Sequence, residues 1–302
     1  MGLAAVVQML LSLLGLTSAS SAEGAEVARM TPREKAALVV VSGLPAPPGV
    51  AGVIVRQWDR DLPRPRGALV FVDQEGGLVK AFPELPPWRA ASAFTRVDDA
   101  LASGRDTGRA LRRDGVHVDL APVLDEPDGP LGSRHFRSPE LALAFGRGLV
   151  RGGLGACAKH FPGLGSTPVS TDNALYVRGV LRAGETAAFR RAARELPCVM
   201  IGHAVYPALG PRSASFSPWA YRRLRRDGFR GIAITDSLGR FGSELAPYWG
   251  TSAIRAGADL VLYTKAADAE RAIHALVPLA RAGVLDARVA RVLRWRRSLV
   301  GG

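Results

Sequence analysis

Eight short runs of continuous apolar residues, at 39–41, 52–55, 68–72, 117–121, 155–158, 198–201, 231–235 and 259–263, constrain this chain more than any other feature. Continuous rather than alternating hydrophobicity suits parallel strands covered on both faces. Helical patterns lie between them. Ser138 and Pro139 open one, which Gly152 and Gly153 close; Ser217 and Pro218 open another, which ends at Gly228. The last begins at Asp286, read as its cap, and carries Val289, Val292, Leu293 and Leu299 on one stripe opposite an arginine-rich face. Strand–helix alternation over 302 residues leaves two architectures, a closed barrel or an open doubly wound sheet.

The polar residues at the strand ends separate these two. Asp73 follows the run at 68–72, Lys159 and His160 follow 155–158, His203 follows 198–201, and Asp236 follows 231–235. An open sheet gathers its chemistry at one switch point, whereas a barrel collects it from many strand ends. The expectation is therefore the α/β class, as a single (β/α)8 TIM-type barrel spanning residues 23–302. The proline-rich patches at 45–48 and 63–65 read as loops inside that one domain.

Residues 3–16 are largely apolar and are followed by small residues through Ala22, the order of a secretory signal with cleavage after Ala22. No Lys or Arg precedes Arg29, so an ordinary N-terminal helix or a start at Met30 are the competing readings. Export gives a secreted or cell-envelope protein, and the alternatives a cytoplasmic one. No later segment is long and apolar enough to form a stable membrane span.

With 47% hydrophobic residues the chain can bury a large core, which excludes disorder. Its net charge of +13 comes mostly from arginines scattered over helical segments (Arg112, Arg113, Arg190, Arg191, Arg222, Arg223), without a basic tail or interleaved aromatics. That distribution argues against a nucleic-acid partner and leaves attraction to an acidic glycan surface open. Cys157 and Cys198 are the two cysteines, with no CxxC or Cys/His spacing, so no metal site is expected. Each sits in an apolar run and reads as a small packed hydrophobe; a bridge between them stays open if the runs are neighbouring strands. The DQEGG stretch at 73–77 lacks both the GxGxxG order and a Walker lysine, which argues against a nucleotide. His135 and His274 read as surface or core-edge residues, and His117 as structural.

Asp236 is the strongest catalytic candidate. A carboxylate at the inner mouth of a barrel can attack an anomeric carbon, and retaining glycosidases pair such a nucleophile with an acid about 5 Å away. A helix N-cap is the plainer role for the same position.

Five motifs then carry a resemblance: VDQEGG at 72–77, KHFPG at 159–163, GHAVYPA at 202–208, SFSP at 215–218 and TDSLG at 235–239. In this order and spacing the chain resembles family 3 glycoside hydrolases, specifically the single-domain bacterial β-N-acetylhexosaminidases that remove terminal β-linked N-acetylglucosamine from muropeptides. The resemblance runs from about Met30 to the closing helix. It implies a retaining hydrolase with Asp236 as nucleophile, with Asp73, Arg134, Lys159, His160 and His203 binding the sugar, and with no metal or organic cofactor. The implied partner is a carbohydrate substrate, an amino-sugar glycan or muropeptide; oligomeric state is not legible.

The departures matter as much. The family's loop Asp-x-His pair, whose histidine is the acid/base, falls here on Ser170 and Asp172. Leu164 stands where the loop's second histidine belongs, and Leu78 and Ala81 stand where arginines follow the EGG. Two expectations follow. Either Asp172 replaces the histidine as acid/base and the chain is a β-hexosaminidase, or a β-hexosidase of altered sugar preference, or the barrel binds glycan without efficient turnover.

Overall fold

The computed structural model describes residues 21–301, so the apolar segment at 3–16 lies outside the described residues. Ten strands occur in chain order: β1 (Val40–Ser42), β2 (Gly52–Val55), β3 (Leu69–Val72), β4 (Gln74–Gly76), β5 (Val79–Lys80), β6 (Val118–Asp119), β7 (Gly155–Phe161), β8 (Cys198–Ile201), β9 (Ile232–Ser237) and β10 (Leu260–Tyr263). Eight of them close a parallel barrel in the ring order β1-β10-β9-β8-β7-β6-β3-β2, while β4 and β5 form a separate antiparallel hairpin. The closed barrel, not the open sheet, is what the strand-end chemistry required.

All eight apolar runs become barrel strands; those at 52–55 and 198–201 keep their ends, and the other six shift. The wall of the barrel is buried on both faces, which is why its strands read as unbroken hydrophobic runs. Val41, Ile54, Phe71, Leu120, Met200, Ile234 and Leu262 fill the interior; Val40, Val53, Val70, Val199, Ala233 and Val261 face outward against the helices. Helices cover most of that outer layer, but none stands between β1 and β2 or between β2 and β3. Those two connections are irregular, and the β2–β3 side of the barrel is covered by loops instead.

The closing helix (Asp286–Val300) shuts one end. Its Val292 and Trp295 join the interior cluster, with the Trp295 ring 6.1 Å from that of Phe71. Gly155 at the start of β7 makes room: a Cβ there would stand 2.9 Å from the Trp295 ring. The stripe of Val289, Val292 and Leu293 is buried as expected. Asp286 differs from expectation. It is the first helical residue and makes no capping bond; its carboxylate meets the Lys35 ammonium at 2.8 Å instead. An ammonium is a stronger partner than a backbone amide, so the ion pair takes the side chain. Ser138 and Ser217 hold the N-cap positions before Pro139 and Pro218 but also make no side-chain cap bond.

Cys157 and Cys198 are joined by a disulfide, the bridge that the sequence left open. They face each other in register on β7 and β8 inside the barrel. With Trp295 filling the strands' N-terminal end, the C-terminal end is where polar chemistry is available.

Candidate active site

β7 delivers Lys159 and His160 side by side, through a cis peptide, and both are buried. The Lys159 ammonium donates to Asp73 at 2.6 Å and lies 2.6 Å from a Glu75 oxygen. Glu75 in turn accepts two bonds from the Arg134 guanidinium, at 2.7 and 2.9 Å, a fork that fixes both planes. Burial opposes the Glu75 carboxylate, but Lys159 and Arg134 outweigh it and bring its pKa down to about 2. Burial likewise opposes the Lys159 cation, and Asp73 and Glu75 reverse the balance, raising its pKa. Asp119, buried nearby, has one oxygen bonded to the Gln74 amide and the other without a partner among the described residues; desolvation raises its pKa well above its ordinary value.

His160 is set by Asp125. The Asp125 carboxylate can only accept, so His160 Nδ1 donates to it at 2.7 Å, and the His160 and Leu164 amides bond the same carboxylate. Burial disfavours the imidazolium, yet Asp125 raises the His160 pKa. His203, after β8, donates from Nε2 to the Ser237 carbonyl at 3.0 Å and faces Ser215 Oγ through Nδ1 at 2.8 Å. Burial lowers its pKa despite Asp236 nearby. Its ring packs edge-on against Phe241 at 4.8 Å.

Asp236 is partly buried near the end of β9. One carboxylate oxygen accepts from the Ser237 amide at 2.7 Å. Burial would raise its pKa, but His203, His160, the Ser237 amide and Lys159 together hold it below the ordinary value. The structure therefore gathers Asp236, Lys159, His160, His203, Asp73 and Arg134 at one end of the barrel. An ionised, partly accessible carboxylate flanked by imidazoles, with a shell of fixed donors, is equipped for attack on an electrophilic carbon.

Asp172 arrives on the long loop after β7 and is 57% exposed at its side chain. Its carboxylate is 3.4 Å from the Arg134 guanidinium and 3.3 Å from Ser170 Oγ, and the Arg240 guanidinium donates to its backbone carbonyl. Arg134 thus spans Glu75 within and Asp172 without, and Arg240, four residues after Asp236, grips the same loop from the other side.

Glu75, Asp125 and Arg240 belong to this site and were missed as site residues in the sequence. Glu75 lies inside the VDQEGG motif, and Asp125 lies beyond β6 but six residues past its end. Arg240 gave no signal beyond its closeness to Asp236. Leu164 is buried and uses only its backbone.

With this geometry in view, comparison with known proteins is informative. Residues 53–295 match the glycosyl hydrolase family 3 N terminal domain. A beta-hexosaminidase of Stenotrophomonas maltophilia is 35% identical over 239 residues, covering 70% of this chain and 71% of that protein. One from Neisseria gonorrhoeae is 35% identical over 223 residues, and the match covers 64% of this chain and 62% of that protein. Among solved structures, a glycoside hydrolase family 3 beta-N-acetylglucosaminidase from Paenibacillus superposes with a TM-score of 0.78 at 26% identity, covering 90% of this chain and 64% of that one. A family 3 glycosyl hydrolase from Mycobacterium smegmatis gives 0.78 and 26%, covering 89% and 98%. A closed barrel with this constellation at its open end, matched over most of its length, belongs to glycosyl hydrolase family 3.

Proposed function

We propose that this protein is a retaining β-hexosaminidase acting on terminal β-linked N-acetylglucosamine, with Asp236 as nucleophile. The observation carrying this reading is the Asp236 carboxylate, held ionised by His203, His160, the Ser237 amide and Lys159 at the barrel's open end. Asp236 attacks C1, and the bond to the leaving oxygen breaks as the glycosyl ester forms. Asp172, on the long loop after β7, gives that oxygen a proton, then takes one from the water that hydrolyses the ester. Asp73, Arg134, Lys159, His160 and His203 bind and orient the sugar. Charged donors make strong, directional bonds to hydroxyls.

The natural substrate on this reading is a cell-wall glycan or muropeptide, and the protein works outside the cytoplasm. The net charge of +13 supports attraction to an anionic polymer. The Cys157–Cys198 disulfide supports an oxidising compartment.

Asp236→Ala should abolish release of 4-nitrophenol from 4-nitrophenyl β-N-acetylglucosaminide, and an activated fluoro-sugar should leave a glycosyl adduct on Asp236 detectable by mass spectrometry. Unchanged turnover in the variant removes Asp236 from the role. Asp172→Asn should hurt a natural disaccharide more than the nitrophenyl substrate, whose leaving group needs little protonation. Equal loss on both argues against an acid role.

A further inference from the structure

We infer that Arg240 is a positioning residue for the acid/base, tying the loop that carries Asp172 to the turn that follows the nucleophile. This rests on the reading of Asp236 and Asp172 as the two catalytic carboxylates.

Between β7 and the next helix (Ala183–Glu195) the chain runs through residues 162–182. The later part of this loop is joined to the segment after β8 by backbone bonds. Gly179 donates to the Val205 carbonyl at 2.9 Å, and Val205 to the Val177 carbonyl at 2.8 Å. The stretch 168–176, with Asp172 at its centre, has no such bond to the rest of the protein among the described residues. Two side chains supply its outside hydrogen bonds there: Arg134 to the Asp172 carboxylate and Arg240 to the Asp172 carbonyl. The bonds of Ser170 to Asp172, Asn173 and Ala174 stay within the stretch.

These two ties are not equivalent. Arg134 reaches the carboxylate itself, at 3.4 Å, and so engages the atoms that must exchange a proton. Arg240 takes the backbone carbonyl and leaves those atoms free. Its own Nε is buried without a partner, so among the described residues the guanidinium has this one hydrogen bond.

The other end of the tie is firm. Arg240 lies on a single turn (Leu238–Phe241) directly after β9, four residues beyond Asp236. Leu238 is fully buried, and the Phe241 ring packs on His203, Phe216 and Trp249 at 4.8, 5.2 and 5.1 Å. His203 also holds the Ser237 carbonyl. A retaining glycosidase needs its two carboxyl groups about 5 Å apart, and a misplacement of about 1 Å costs about 100-fold in rate. An aspartate reaches less far from its backbone than a histidine. Holding the backbone of residue 172 from the nucleophile's own turn therefore fixes the separation by a short, packed path.

Arg240→Met keeps most of the side chain's bulk and removes its donors. It should lower kcat/KM for N,N′-diacetylchitobiose at least about tenfold more than for 4-nitrophenyl β-N-acetylglucosaminide, whose leaving group needs little protonation. Added to Asp172→Asn, it should change either value by less than about twofold, because the group it positions is already gone. Equal losses on the two substrates, with Asp172→Asn still discriminating between them, overturn the tie and leave the glycosidase reading intact. Full additivity of the two substitutions also overturns it. If Asp172→Asn does not discriminate either, the acid role and the tie fall together, while Asp236 is judged by its own adduct. Should turnover be too slow to compare, chymotrypsin reads the loop directly at Leu175 and Tyr176, which are 46% and 64% exposed. Cleavage there should be about tenfold faster in Arg240→Met at an unchanged urea midpoint, and an unchanged rate overturns the tie.

Discussion

The two ends of the barrel each bury a carboxylate between two cations, and they use the arrangement differently. At the closed end Asp259, just before β10, is 1% exposed; it meets Arg225 at 2.5 Å, Arg291, and the Ala233 amide at 2.8 Å. Among the described residues neither arginine pairs with a second carboxylate, so both cations stay on this one carboxylate and tie helices to strands. At the open end Glu75 is equally buried between Lys159 and Arg134, but each cation goes on to another carboxylate: Lys159 to Asp73 and Arg134 to Asp172, both substantially exposed. The first cluster is a staple. The second carries charge from the interior out to where a ligand can compete for it.

If that contrast is right, removing the two buried carboxylates should damage different properties. Asp259→Ala leaves two arginines uncompensated and should cost about 3–5 kcal/mol of stability by urea denaturation, with kcat/KM within about twofold where the protein is folded. Glu75→Gln keeps the shape but loosens Lys159 and Arg134, and should lower kcat/KM by about 100- to 1,000-fold, the worth of a fixed donor in a catalytic site. A large activity loss in the first variant, or full activity in the second, erases the distinction between staple and relay.

The disulfide tests how much of the open end's order depends on the wall beneath it. Cys157 and Cys198 join the strands that end in Lys159–His160 and His203, across a sequence separation of 41 residues. Replacing both by alanine should cost roughly 2–4 kcal/mol in the urea midpoint. Addition of a reductant should leave the variant's midpoint unmoved; a shift there would mean that the wild-type loss has another source.

The same contrast explains what the sequence disclosed. The barrel was legible because burial on both faces of each strand leaves an unbroken apolar run, and Asp73, Lys159, His160, His203 and Asp236 were legible because they stand directly beyond those runs. Asp125 escaped because β6 is only two residues long and the chain runs on through a proline before reaching it, so the run appeared to end at Ala121. Its partner His160 is 35 residues away. The disulfide depended on strand register, which periodicity does not carry. His135, read as a surface or core-edge residue, is 1% exposed, because the single turn at Gly132–Arg134 folds it inward. Such a turn has no periodic signature.

Glu185 sharpens the comparison from the pH side. It lies beneath the loop after β7, accepting the Gly165 amide at 2.6 Å and the Glu126 amide at 3.1 Å, and it is 1% exposed. Gly163 must be glycine here, with φ at +127° and a Cβ that would stand 2.4 Å from the Glu185 carboxyl. Unlike Asp259 and Glu75, Glu185 forms no ion pair among the described residues; the Arg182 guanidinium feels its charge but pairs with Glu126 instead. Burial, then the Asp125 charge, raises its pKa to about 7. A carboxyl whose folded pKa exceeds its unfolded one binds more protons in the native state, so stability falls as pH rises from about 4.5 to about 7 and is flat above. The penalty is at most about 3 kcal/mol, from 1.36 kcal/mol per unit. Glu185→Gln keeps an acceptor for both amides and removes the charge. Urea midpoints of the variant and wild type should coincide near pH 4.5 and diverge toward pH 7, with the variant the more stable. Parallel curves across that interval would mean that the carboxylate has found a counter-charge, and that the loop carrying Asp172 rests on a pair like the one at Asp259.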